Sequence, residues 1–118
     1  MGRLPVSTES GSTVSYELFI LPKAQRQINA LPNKDRQRII EKINSLRQNP
    51  RPSGSRKLVD TDEFYRVRVG QYRIIYAPFD QLLFLLVVTV GRRRDVYERL
   101  RKKFSRERLL AIIADREL

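Results

Sequence analysis

Arg66, Arg68 and Arg73 stand in one short stretch, Phe64 to Tyr76, which reads FYRVRVGQYRIIY and alternates apolar with charged residues. A period of two marks a half-buried strand. The single interruption, Gly70-Gln71, is a two-residue loop with glycine first, as a type II′ hairpin turn requires because that position needs a positive φ. Counting outward from the turn opposes Val69 to Tyr72, Arg68 to Arg73, Val67 to Ile74 and Arg66 to Ile75, and opposed residues share a face. The three arginines therefore converge on one side, while Tyr65, Val67, Val69, Tyr72, Ile74 and Tyr76 line the other as a core. Like charges directly opposed destabilise a hairpin unless an anion neutralises them. The chemistry open to such a face is anion binding; the bland reading is a solvated face that tolerates arginine.

A second group of candidates lies downstream. Leu82 to Val90 is a nine-residue apolar run, right for a strand buried on both faces and too short to span a membrane. It runs out into Gly91-Arg92-Arg93-Arg94-Asp95-Val96-Tyr97, so three more arginines and a tyrosine emerge at its end. If that strand lies beside the hairpin, six arginines surround one concavity. Composition points the same way. The chain has 118 residues, one domain's worth, with 24 Lys and Arg against 13 Asp and Glu for a net charge of +11. Such a charge calls for a polyanionic partner, nucleic acid before membrane surface. The absence of cysteine and histidine removes disulfides, thiolate metal sites, the usual general base and the commonest metal ligand. No cofactor or metal is expected. The lack of cysteine fits a cytoplasmic protein, and no secretory h-region follows Met1.

The elements that must position these residues follow in order. Met1 to Ser15, rich in Ser, Thr and Gly, reads as a mobile tail. Tyr16 to Leu21 reads as a short strand, stopped by Pro22, which suits the first turn of a helix carrying Ala24, Ile28 and Leu31 at helical spacing. Pro32-Asn33 breaks that helix, with Asn33 expected to cap the next one and Asp35 in its first turn. Ile39, Ile40, Ile43 and Leu46 supply its apolar stripe. The two helices form a hairpin across one sheet face, their outer face carrying Lys23, Arg26, Lys34, Arg36, Arg38 and Lys42 as a solvated surface. Asp60, Asp62 and Glu63 read as local charge compensation rather than as catalytic carboxylates. Asp95 opens a helix with Glu98 in capping-box position, and Val96, Leu100 and Phe104 form its stripe. Ser105 starts a separate amphipathic segment to Leu118. The expected fold is α+β: a small, mainly antiparallel sheet of about four strands, an N-terminal helical hairpin on one face and a C-terminal helix. The expected layout is a tail at 1–15, a domain at 16–104 and an extension at 105–118.

The motifs FYRVRVGQYRIIY and VTVGRRRDVY, in this order after a strand and a helical hairpin, resemble the RelE/ParE superfamily of toxins from type II toxin–antitoxin modules, and specifically its RelE branch. The resemblance covers about Tyr16 to Leu100. It implies a RelE-like fold and an endoribonuclease, an mRNA interferase acting in the ribosomal A site to inhibit translation. It also implies a RelB-type antitoxin wrapped around the toxin. Residue by residue, Arg66 and Arg68 match the two basic residues, usually lysines, that bind the scissile phosphate and help activate the 2′-hydroxyl. Arg73 matches the arginine that stabilises the transition state. Arg93, with Arg92 or Arg94 as lesser candidates, matches the general acid or leaving-group stabiliser, and Tyr97 matches the closing tyrosine. Arg56, Lys57, Arg92 and Arg94 are further RNA-binding candidates. The departure from the family is arginine in place of lysine, and a guanidinium does not deprotonate in a protein, so neither Arg66 nor Arg68 serves as a base.

The chemistry of the residues is compatible with that reaction. RNA carries its own nucleophile, so cleavage needs the 2′-hydroxyl aligned, the phosphorane neutralised and the 5′-oxygen protonated as it leaves. Guanidinium groups offer bidentate donors to phosphoryl oxygens. Tyr97 is the candidate base, its phenol favoured in ionised form by neighbouring guanidinium groups; it reads equally as a core aromatic or a base-stacking platform. Two alternatives remain beside the nuclease: a ParE-like, non-catalytic inhibitor of DNA gyrase, and an inactive RNA- or ribosome-binding relative. An acidic antitoxin is expected either to displace the segment from Asp95 onward or to cover the arginines.

Overall fold

The structure, a computed structural model, describes residues 15–58 and 63–92. Five strands form one sheet in the order β1-β5-β4-β3-β2. They are β1 (Glu17–Ile20), β2 (Arg56–Lys57), β3 (Tyr65–Val69), β4 (Tyr72–Phe79) and β5 (Phe84–Gly91), with helices α1 (Pro22–Asn29) and α2 (Asn33–Leu46) between β1 and β2. The expectation of about four strands thus misses β2, which is only two residues long and pairs antiparallel with β3. The sheet is also mixed, because β1 runs parallel to β5. A parallel neighbour requires a crossover, and the two helices provide it.

The hairpin register agrees with the sequence count: Arg66 faces Ile75, Val67 faces Ile74, Arg68 faces Arg73 and Val69 faces Tyr72. Gly70 has φ +59°, and Gln71 is not among the positive-φ residues, which is the type II′ pattern. The apolar run after it behaves as the central strand expected, buried from Phe84 to Val90. Leu82 and Leu83 are exposed instead, at 54% and 45%. A 3₁₀ turn (Asp80–Leu82) precedes them into Leu83, whose φ is +51°, and pairing begins only at Phe84.

Each face of the sheet carries its own core. Ile28 of α1 and Ile39, Ile43 and Leu46 of α2 pack with Val67, Ile74 and other residues of the helical face. On the opposite face, Phe64, Ile75, Ala77, Phe84, Leu86 and Val88 belong to a second cluster. Pro22 occupies the first turn of α1 as expected. Asn33 does not cap α2: it is the first helical residue, Pro32 holds the cap position with no side-chain bond, and the Asn33 amide oxygen accepts from Arg36 at 2.6 Å. Ile40 falls outside the buried stripe and is 42% exposed, because its neighbour Ile39 already points inward and successive helical residues diverge by about 100°. The N-terminal tail through residue 14, Asp60, Asp62 and everything from Arg93 onward, including the expected C-terminal helix, its cap at Asp95 and the extension at 105–118, lie outside the described residues.

Candidate functional site

The sheet register brings four arginines to one face. Arg68 is opposed by Arg73, which is in turn opposed by Gly91 on β5. Two positions along β3, Arg66 is opposed on one side by Ile75 and on the other by Arg56 of β2. Since opposed residues share a face, Arg56, Arg66, Arg68 and Arg73 form two cross-strand rungs on the side away from the helices. Arg56 and Arg68 are exposed, and Arg66 and Arg73 half-buried. A Cβ added to Gly91 would meet nothing within 4 Å, so the end of the Arg68–Arg73 rung opens into space.

Arg73 is held at this end of the sheet. Its Nη1 donates a short hydrogen bond to the carbonyl oxygen of Arg92, while its Nε is buried without a hydrogen-bond partner. Arg92 itself divides between two roles. Its backbone receives Arg73, but its guanidinium lies over the ring of Tyr72, with Cζ 5.3 Å from the centroid, and Nη2 is 3.5 Å from the phenol oxygen. Tyr72 belongs to the helical-side core, and its hydroxyl donates to the Asp35 carboxylate at 3.0 Å. Of the six arginines expected around one concavity, Arg66, Arg68 and Arg73 share this face, Arg56 joins them from β2, and Arg92 is turned onto Tyr72. Arg93, Arg94 and Tyr97 lie outside the described residues. Lys57 is opposed to Tyr65 and so lies on the face away from Arg56.

One further arginine reaches the hairpin turn, from the helical side. By sequence Arg38 belongs to the solvated outer face of α2, yet its Nη1 lies 3.3 Å from where a Cβ on Gly70 would sit. Its guanidinium thus packs against the hairpin turn. Nothing local in the sequence signals this, because it depends on how α2 lies across β3.

At the other end of the sheet a separate polar group ties loop to strand. Arg51 bridges Asp80 at 3.0 Å, donates to the Tyr65 hydroxyl at 3.1 Å and stacks on that ring at 5.0 Å. The Tyr16 hydroxyl donates to the same carboxylate at 2.6 Å. The hydrogen bond from Arg51, followed by that from Tyr16, holds the Asp80 carboxyl below the usual carboxylate range. Burial and the adjacent Asp80 push the Tyr16 phenol up, and burial pushes Tyr76 up to about 12. Tyr65 adjoins Arg66 in the chain but packs against the helical-side core, so these contacts lie across the sheet from the arginine rungs. Among the described residues, no three His, Cys, Asp or Glu side chains gather to hold a metal.

Comparison with known proteins adds a lineage to this geometry. The family model described as ParE toxin of the type II toxin-antitoxin system, parDE, matches residues 18–97. The chain belongs to this toxin family, within the RelE/ParE superfamily. A relative from Methanocaldococcus jannaschii named RelE1 is 25% identical over 88 residues, covering 72% of this chain and 98% of its own length. Among solved structures, a double mutant of the E. coli toxin RelE in the free state superposes with a TM-score of 0.67 at 22% identity, covering 78% of this chain and all of the other. The archaeal RelE–RelB complex from Pyrococcus horikoshii gives a TM-score of 0.61 at 24% identity, with 69% and 98% covered. This RelE/ParE toxin accordingly has the RelE-like fold expected from its two motifs.

Proposed function

We propose that this toxin is a metal-independent endoribonuclease that cleaves mRNA on the ribosome and so inhibits translation. The observation that carries the reading is the convergence of Arg66, Arg68 and Arg73 on one open face, with Arg73 anchored by the Arg92 carbonyl. Opposed like charges of this kind are stabilised by an anion between them, and a phosphodiester supplies one.

In this mechanism Arg66 and Arg68 hold the non-bridging oxygens of the scissile phosphate, and the 2′-hydroxyl of the same nucleotide attacks phosphorus in line with the 5′-oxygen. Charge accumulates on the phosphorane, where Arg73 donates to it. The P–O5′ bond breaks, leaving a 2′,3′-cyclic phosphate and a 5′-hydroxyl, so this hydrolase-class nuclease uses no water in the cleavage step itself. The resemblance gives Tyr97 the proton of the 2′-hydroxyl and Arg93 the leaving oxygen. Since a guanidinium does not release a proton, Arg93 acts there by stabilising developing charge; the 5′-oxygen takes its proton from solvent, and the phenol returns to solvent the proton it took from the 2′-hydroxyl, so no water is consumed. A RelB-type antitoxin is the proposed cytoplasmic partner. Relatives of the same fold are solved as RelE–RelB complexes, and a chain with net charge +11 suits an acidic wrap.

A second reading rests on the family model itself, which carries the ParE name: a non-catalytic poison of DNA gyrase. Mapping RNA ends by primer extension after induction separates the two. New mRNA ends that vanish in Arg73→Ala support the nuclease. Intact transcripts with induced DNA damage refute it and favour the gyrase reading; intact transcripts with neither leave an inactive ribosome-binding relative.

A further inference from the structure

The two arginine rungs are more than one phosphate needs. Residues two apart on a strand are separated by about 6.7 Å. Neighbouring phosphates of one strand are joined through a single ribose, and single-stranded RNA is recognised with its bases unstacked and splayed out. The Arg56–Arg66 rung is displaced from the Arg68–Arg73 rung by two residues along β3 and by one strand across the sheet, about 8 Å in all, a gap that long arginine side chains can close onto neighbouring phosphates.

The second rung has no internal reason to exist. Arg56 directly opposes Arg66 as Arg68 opposes Arg73, and each such pair costs stability unless neutralised. None of the four is ion-paired to another described residue; the Asp80 carboxylate, for one, is taken by Arg51. Arg56 is also exposed. We infer that this face binds two consecutive phosphodiesters of one RNA strand, the scissile one against Arg66, Arg68 and Arg73 and its neighbour against Arg56 on the far side of Arg66. The inference rests on the ribonuclease reading and extends it. The strand runs along β3, and Arg56 is a binding residue for the flanking phosphate, without a role in the bond changes.

The test uses single-turnover cleavage of a ribosome-bound mRNA in which one linkage, immediately 5′ or immediately 3′ of the cleavage site, is a neutral methylphosphonate. One of the two replacements is expected to slow the wild-type toxin about tenfold, the loss of one charged hydrogen-bond partner, and the other to have little effect. Arg56→Ala should slow cleavage of the unmodified strand by a similar factor, with no further loss when variant and sensitive replacement are combined. Wild-type cleavage indifferent to both replacements overturns the inference without involving any variant. So do losses that multiply. If the unmodified strand is not cut at all, the ribonuclease reading has failed and this inference with it.

Discussion

The Arg92 guanidinium lies over the ring of Tyr72, its Cζ 5.3 Å from the centroid, while the Arg92 carbonyl accepts from Arg73. The same residue thus ties the arginine face to the helical core, and Tyr72 continues the tie to Asp35. Tyr72→Phe keeps the ring beneath Arg92 and loses the bond to Asp35 together with the 3.5 Å contact from Arg92 Nη2. It should cost about 1 kcal/mol in urea unfolding and leave growth arrest intact. A variant that folds yet loses toxicity would assign the phenol a direct part in the reaction.

Gly70 sits at φ +59°, where an L side chain is strained by about 1–2 kcal/mol. An added Cβ would also meet the tip of the Arg38 side chain at 3.3 Å, a flexible neighbour that can yield. Gly70→Ala is therefore expected to lower stability by about that strain alone, measured by chemical denaturation, and Gly70→Asn by less, since asparagine tolerates this region better. Equal losses for the two would show that contact with Arg38, rather than the backbone, sets the cost.

The Arg51–Asp80 pair predicts a response to acid. The folded Asp80 carboxyl titrates lower than in the unfolded chain, so its contribution is fully present above about pH 3.9 and disappears as pH falls through the lowered value. Both side chains are more than a third exposed, and screening limits the pair to at most about 1 kcal/mol. Asp80→Asn should be less stable than the wild type at neutral pH, and the gap should close in strong acid. A gap that is constant with pH would remove the ion pair from the account.

Tyr76 predicts the alkaline limb. It is fully buried, its hydroxyl donates to the Pro50 carbonyl at 2.6 Å, and burial raises its pKa to about 12. A phenol whose folded pKa lies above the ordinary value of about 10 stabilises the fold below that value and ceases to do so as pH rises through the folded one. Stability should fall between about pH 10 and 12, less steeply in Tyr76→Phe. That variant loses about 1–2 kcal/mol at neutral pH through the unpaired Pro50 carbonyl.

The hairpin was legible in full because a two-residue turn leaves its register no freedom: knowing Gly70-Gln71 fixes Arg68 against Arg73. The central strand was legible from its unbroken apolar run. What stayed hidden depends on distant pairing. Two residues cannot display a period, so β2 was invisible, and with it the opposition of Arg56 to Arg66 and the separation of Lys57 onto the other face. The parallel pairing of β1 with β5 leaves no mark in either segment. Arg92 was misplaced for a related reason: alternation along the strand says where a side chain would start, but not that a Tyr72 ring waits to receive it.

The late position of β5 has a consequence for synthesis. Glu17–Ile20 can find its parallel partner, and Arg73 its carbonyl acceptor, only after Phe84–Gly91 and Arg92 have been made. Until then the nascent chain carries charged hairpin and helices with no central strand to assemble on. Long-range pairing of this kind is slow, so the arginine face is assembled last, when residues far apart in the chain have met.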